Sequence, residues 1–186
     1  MELRPVQPAD LDLLSEIDGT IASTEYLHVE RGGEGLGAAW RLHERPLRER
    51  LVRSNPIDDE RSFDLKSIVT GANEGIAMLA EHDGVPVALG AAILEPARGT
   101  LRVLELRVDF DQRREGLGTA MLFAMINDAR ARELRAVRAE TTTDNFPANR
   151  LLQKCGFELA GLDERRVSNH DLVKESVTLF WYASLD

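Results

Sequence analysis

Glu105, Arg107, Arg113, Gly116 and Gly118 crowd one junction of the chain, and together they could hold an anion beside an acid–base group. The run from Leu101 to Leu122 starts as a β-rich segment and passes through charged loop residues and two glycines. It then opens into an apolar stripe of Leu117, Met121, Ala124 and Met125. A strand that feeds a helix in this way aims successive backbone N–H groups, and the positive end of the helix, at one point. Glycines at 116 and 118 would let bulky phosphate oxygens approach the backbone closely. A nucleotide P-loop needs a lysine after its last glycine, and Thr119 stands there. A dinucleotide fingerprint needs a third glycine where the chain has Met121. On spacing alone, the Gly-x-Gly also reads as a purely structural tight turn.

Alternate side chains of a strand share a face. Over residues 101–108 this groups Leu104, Leu106 and Val108 on one side and Val103, Glu105 and Arg107 on the other. Glu105 and Arg107 then read either as an internal ion pair on a half-exposed face or as part of a reaction site. A second acid, Glu140, ends the strand that follows the helix.

Arg113-x-x-Gly116-x-Gly118 resembles the pyrophosphate loop of the GCN5-related N-acetyltransferase (GNAT) superfamily, Arg/Gln-x-x-Gly-x-Gly/Ala. Asn145-x-x-Ala148, followed by Lys154-x-Gly156-Phe157, is similar to that family's second signature, and residues 76–162 carry the likeness. The resemblance implies an α/β sandwich whose central mixed, mostly antiparallel sheet is splayed at the cofactor site. It implies acetyl-coenzyme A as cofactor, and acetyl transfer to a primary amine of a small molecule or peptide by direct attack in a ternary complex. Arg113, Arg114, Glu115, Gly116, Leu117, Gly118 and Thr119 would hold the diphosphate. The backbone of Leu106, Arg107 and Val108 would pair with the pantetheine amides, and a backbone N–H there would stabilise the developing oxyanion. Asn145 would cap its helix and also touch the pantetheine arm. Glu105 is the first candidate for the base that removes the amine's excess proton, and Glu140 the second; either could instead only hold a cationic substrate.

The chain departs from the family at Leu152, where relatives commonly carry a tyrosine able to protonate the departing thiolate. Water or another side chain could supply that proton, or the thiolate could leave unprotonated. The chain could also be an acyl-coenzyme A-binding module without turnover. The C-terminal third, from Glu140 through Asn145, Lys154 and Gly161 to Leu179-Phe-Trp-Tyr182, looks like the streptothricin acetyltransferase branch, which acetylates an amine of that antibiotic's β-lysine tail. That branch is the narrower alternative for substrate.

Across 186 residues, 43% hydrophobic and 30% charged content describe a globular chain, read as a single acetyltransferase domain. A net charge of −9 argues against a nucleic-acid binder, which needs a cationic surface. Arg130, Arg132, Arg135 and Arg138 read as decoration of a helix end and the next strand. No apolar run is long enough for a membrane span, and no signal peptide is evident. One cysteine, Cys155, excludes an internal disulfide and fits a reducing, cytoplasmic setting; on a helix's buried stripe it reads as a packed thiol. His28, His43, His82 and His170 share no ligand-like spacing, so no metal is expected. A homodimer stays open as the assembly state.

Several elements must position these residues. Residues 3–6 predict a strand, and 8–17 a helix with Leu11, Leu14 and Ile17 on one side. Residues 18–60 are the hardest to read: 26–29 alternate like a strand, 32–37 form a glycine turn, and 40–44 suggest the returning strand. Residues 41–53 read as a solvated charged face and 54–60 as loop. A hairpin follows over 76–94, turning on Asp83-Gly84. After it come strand 101–109, helix 116–132, strand 134–140, helix 146–154, strand 157–162 and a last strand over 176–182. On helix 146–154, Ala148, Leu151, Leu152 and Cys155 predict the buried stripe.

Overall fold

The computed structural model describes residues 2–166 and 176–185; His170 lies outside them. In chain order they form β1 (Leu3–Pro5), β2 (Ile21–Gly32), β3 (Ala39–Arg53), α1 (Asp59–Val69), β4 (Gly75–His82) and β5 (Val85–Glu95). There follow β6 (Thr100–Val108), α2 (Leu117–Ala131), β7 (Ala136–Thr142), α3 (Phe146–Lys154), β8 (Glu158–Asp163) and β9 (Thr178–Ser184). The main sheet runs β1-β4-β5-β6-β7-β9-β8. Only its β6–β7 pair is parallel, so the sheet is mixed and mostly antiparallel, as expected.

Apolar patterning explains the layers. Helix α2 lays Leu117, Met121, Leu122, Met125, Ile126 and Ala129 on one face of the sheet, in a core shared with Leu101, Val137, Leu152, Leu179 and Trp181. A smaller core on the opposite face joins Val6, Leu14, Ile17 and Leu65 to Leu79, Leu89 and Ala91. The Asp83-Gly84 turn closes the β4–β5 hairpin with both residues left-handed (φ 51° and 79°), the geometry that made this dipeptide a turn signal.

Several expectations need correction. Residues 8–16 form a 3₁₀-helix, whose Leu14 is buried as expected along with Ile17 just beyond. The charged run 41–53 is not a free solvated face but β3, paired with β2 in a separate two-stranded sheet. The pairing slips where Ser23 faces Leu51 and Glu25 faces Pro46; a proline has no N–H to donate to the ladder. This hairpin packs Leu27, Val29 and Leu42 on the larger core. It is tied to the end of β7 by Leu27 N–H donating to Thr143 O (3.0 Å) and by Arg53–Asp144 (3.0 Å). Arg150–Glu44 (3.2 Å) and Trp40 Nε1–Glu164 (2.8 Å) add ties to α3 and to the loop after β8. Helix α1 went unread; its signal is Asp58, whose side chain accepts from Arg61 N–H as an N-cap, followed by Asp59 and Glu60 in the first turn. The last strand and β7 each lie two residues later than expected.

The most consequential correction is in β6. Glu105 faces Ala91 and Val103 faces Ala92, so Leu104 is an extra residue, a β-bulge. The bulge shifts the alternation by one. Val103, Leu106 and Val108 therefore all pack on the α2 side, while Glu105 and Arg107 face the other way. The expected grouping of Val103 with Glu105, and of Leu104 with Leu106, fails for this reason.

Candidate active site

Strands β6 and β7 pair only at Thr100↔Ala136, Leu101↔Val137 and Arg102↔Arg138, and part beyond. Asp109 N–H donates to Val87 O (2.8 Å), so residues 109 and 87 form a hydrogen-bonded pair. Alternation along an antiparallel ladder then assigns the backbone groups of Arg107 to β5 and turns those of Leu106 and Val108 into the gap. Of the three backbone positions expected there, Arg107 faces β5 instead. Val108 O accepts from Arg113 Nε (3.1 Å).

The loop after β6 supplies the anion-binding geometry. Arg114 (φ 73°) and Gly116 (φ 88°) are both left-handed, which curls the amides of residues 114–118 into a concave nest at the start of α2. A Cβ at Gly116 would meet nothing within 4 Å, so this glycine serves the backbone shape and leaves space beside it. Gly118 has a different reason: a Cβ there would lie 3.0 Å from Leu151 Cδ2, because α2 and α3 approach closely. Arg114 and Glu115 are exposed and Leu117 is buried. Arg113 stacks over Phe110 (5.0 Å to the ring centre), and burial pushes its guanidinium pKa below the usual value. Thr119 reaches Cys155 at the end of α3, just past its last residue; burial pushes that thiol up with Thr119 opposing, and a neutral packed thiol fits a structural role.

Asn145 precedes α3, but its side chain makes no capping bond, contrary to expectation. The buried polar residue of that helix is Asn149, which the sequence reading missed. Its amide donates to Thr142 O (3.0 Å), and its Oδ1 accepts from Thr141 Oγ1 and from Trp181 Nε1 (3.2 Å). These bonds fix the end of β7 against α3. Ala148 and Leu151 are only half-buried, Leu152 and Cys155 fully so, and Lys154 is exposed.

Charged side chains occupy the opposite face of the parted strands. Glu105, 4% exposed, accepts from Arg107 Nε (3.4 Å) and Arg61 Nη1 (2.8 Å); the ion pair is present, but on a buried face rather than a half-exposed one. Glu140 pairs with Arg138 (2.8 Å) and Arg166 (3.0 Å). Arg138 also grips Glu95 through two nitrogens (2.7 Å each), and with Thr100 it holds the Glu95 carboxyl down at about 2. Arg102 joins Glu95 (3.2 Å) to Asp64 of α1 (3.8 Å). Both candidate bases thus lie on one face, each held by two guanidinium groups. Arg61 and Arg166 are members that sequence reasoning did not find. Arg132 is spent on Asp128 and Arg135 on the carbonyl of Arg98, while Arg138 is buried.

The sequence profile of the acetyltransferase (GNAT) family matches residues 36–157. The chain belongs to this GNAT family. A streptothricin acetyltransferase of Escherichia coli is 32% identical over 75 residues, which span 40% of this chain and 43% of that protein. One of Streptomyces lavendulae is 24% identical over 162 residues, 87% of this chain and 84% of that protein. A Bacillus anthracis structure solved in complex with acetyl coenzyme A shares the fold with a TM-score of 0.78 at 17% identity, covering 100% of this chain and 97% of that one. Acetyl-coenzyme A is the cofactor of the GNAT family, and this chain's residues fit it. The nest is bare beside Gly116, and the gap offers the backbone of Leu106 and the N–H of Val108, whose carbonyl is held by Arg113. Among the described residues, no group of His, Cys, Asp and Glu could hold a metal ion, and no helix is long and apolar enough to cross a membrane.

Proposed function

We propose that this GNAT member transfers the acetyl group of acetyl-coenzyme A to a primary amine of a small molecule or peptide, the amine attacking directly within a ternary complex. The observation that carries the reading is the parting of β6 and β7, with an amide nest on one side and carboxylates on the other. When bound, the cofactor supplies an acetyl thioester. Residues 113–119 hold its diphosphate through backbone N–H groups at the start of α2, and Asn145 stands beside its arm. The backbone of Leu106 and the N–H of Val108 pair with its amides; Arg107 contributes its side chain, on the acceptor face. Glu105 takes the proton of the attacking amine, and Glu140 is the alternative base on the neighbouring strand. A streptothricin-type antibiotic is the narrower acceptor, a reading supported by what the two relatives are named for.

Titration calorimetry with acetyl-coenzyme A, and thiol release over a panel of amines, test this. No cofactor binding at millimolar concentration would sink it. Leu152, buried where relatives commonly carry a tyrosine, favours a second reading, a binding module without turnover. Cofactor binding with no thiol release on any amine would support that module. Glu105→Gln is expected to keep cofactor affinity and cut the acetylation rate by roughly 10²–10⁴-fold, with the loss shrinking as pH rises because more amine is already neutral. A higher KM at unchanged kcat would instead make Glu105 a holder of the cationic substrate.

A further inference from the structure

The two arginines on Glu105 are not equivalent. Arg107 has a side chain 2% exposed, and its Nη1 and Nη2 donate to Ile17 O (3.2 Å) and Asn55 O (2.5 Å). Gly19 leaves it room: a Cβ there would come within 2.6 Å of the guanidinium carbon. It is built in. Arg61 is 26% exposed and approaches Glu105 Oε2 from the start of α1. Its remaining bonds are local, from Nε to Asp58 Oδ2 (3.0 Å) and from Nη2 to Pro56 O (2.6 Å). It can leave Glu105 and keep an ion-pair partner in Asp58, whose side chain is 59% exposed.

We propose that Arg61 is a displaceable counter-ion, seated on Glu105 where the ammonium group of the acceptor goes, and that it is a specificity-determining residue. This rests on the acetyl-transfer reading above. A buried carboxylate stripped of a partner is costly, whereas exchanging one cation for another keeps its charge compensated. An alkylammonium can make that exchange with Arg61; a neutral or anionic molecule cannot, and would leave Oε2 bare. Arg61 therefore admits cations and screens the site in their absence. Its removal relieves the acceptor of a competitor.

The test uses Arg61→Ala with methylguanidinium and n-butylamine as probes. Methylguanidinium is expected to refill the seat, raising the Tm of Arg61→Ala while leaving the wild-type protein and the double variant Arg61→Ala/Glu105→Gln unmoved. With n-butylamine as acceptor, KM is expected to fall about fivefold in Arg61→Ala, the scale of a part-exposed ion pair. Methylguanidinium should then inhibit competitively against the amine in that variant alone. No rise in Tm, or an equal rise in the double variant, overturns the seat. A KM that stays or rises, or inhibition that is not competitive, overturns the exchange with substrate. Should Arg61→Ala not fold, Arg61→Lys retains the charge but has one nitrogen in place of the three that hold Asp58, Glu105 and Pro56 O. It should show a smaller fall in KM, and an unchanged or higher value overturns the proposal. Loss of acetyl-coenzyme A binding would defeat the acetyl-transfer reading, while the methylguanidinium melting experiment still reports on the seat.

Discussion

The two sides of the parted strands are built from different materials. On the α2 side the site is backbone: two left-handed residues, a helix start and the open edge of β6. On the α1 side it is side chains: Glu105, Glu140 and Glu95, held by arginines that come from α1, β6, β7 and the segment after β8. Backbone geometry is set by a few consecutive residues, so it tolerates change elsewhere and is sensitive at single positions. A lattice of ion pairs is set by residues far apart in sequence, so it is tuned by many positions. Under the proposed function, the donor is thus met by a fixed surface and the acceptor by an adjustable one.

Gly116→Val should separate the two sides most strongly. A β-branched residue at φ 88° is strained, and it bends the amides away from the nest. Affinity for acetyl-coenzyme A is expected to fall by roughly a hundredfold, and an unchanged calorimetric Kd in a folded Gly116→Val protein would remove this loop from the diphosphate. The acceptor side should respond to acid instead. The Glu95 carboxyl is held at about 2, below its ordinary 4.5, so it contributes stability above pH 4.5 that is lost as pH falls toward 2. A shift of that size corresponds to at most about 3 kcal/mol, less what solvent screens at this part-exposed pair. Urea midpoints at pH 3 and pH 6 should therefore differ more for the wild-type protein than for Glu95→Gln, and equal differences would count against the pairing. The smallest effect is expected at Gly118→Ala, where only the Leu151 methyl must give way. A stability change within about 1 kcal/mol and an unaltered cofactor Kd are expected; a large loss of affinity would mean that Gly118 serves the ligand after all.

The same contrast decides what was legible in the sequence. The Gly116 loop, the Asp83-Gly84 hairpin and α2 are local, and their residues carry their geometry in their own types. The proposed acceptor face was legible only in its acids, Glu105 and Glu140; their partner Arg61 was not, because Arg61 and Glu105 meet only through the tertiary fold. Strict alternation along β6 failed for another reason: the bulge at Leu104 leaves no mark in residue type, since leucine is ordinary in any strand. Pro46 carries its own mark in residue type: it sits where the β2–β3 ladder slips. Asn149 could have been found as a polar residue three before Leu152 on the inward face of α3.

The β2–β3 hairpin has no layer of its own behind it. It rests on Leu27, Val29 and Leu42 and on a few bonds to residues 143, 144, 150 and 164. Two strands without such support are marginal in water, and regions with few buried contacts open at lower free energy than a central sheet. The hairpin should therefore loosen before β5 and β6 do, with amide exchange along β2 faster than along the strands that flank the cofactor gap. Its bond to Thr143 makes that loosening felt at the end of β7. The edge of the molecule beside β7 and α3 can then breathe, and can diverge in sequence, while the strands that flank the proposed cofactor gap stay folded.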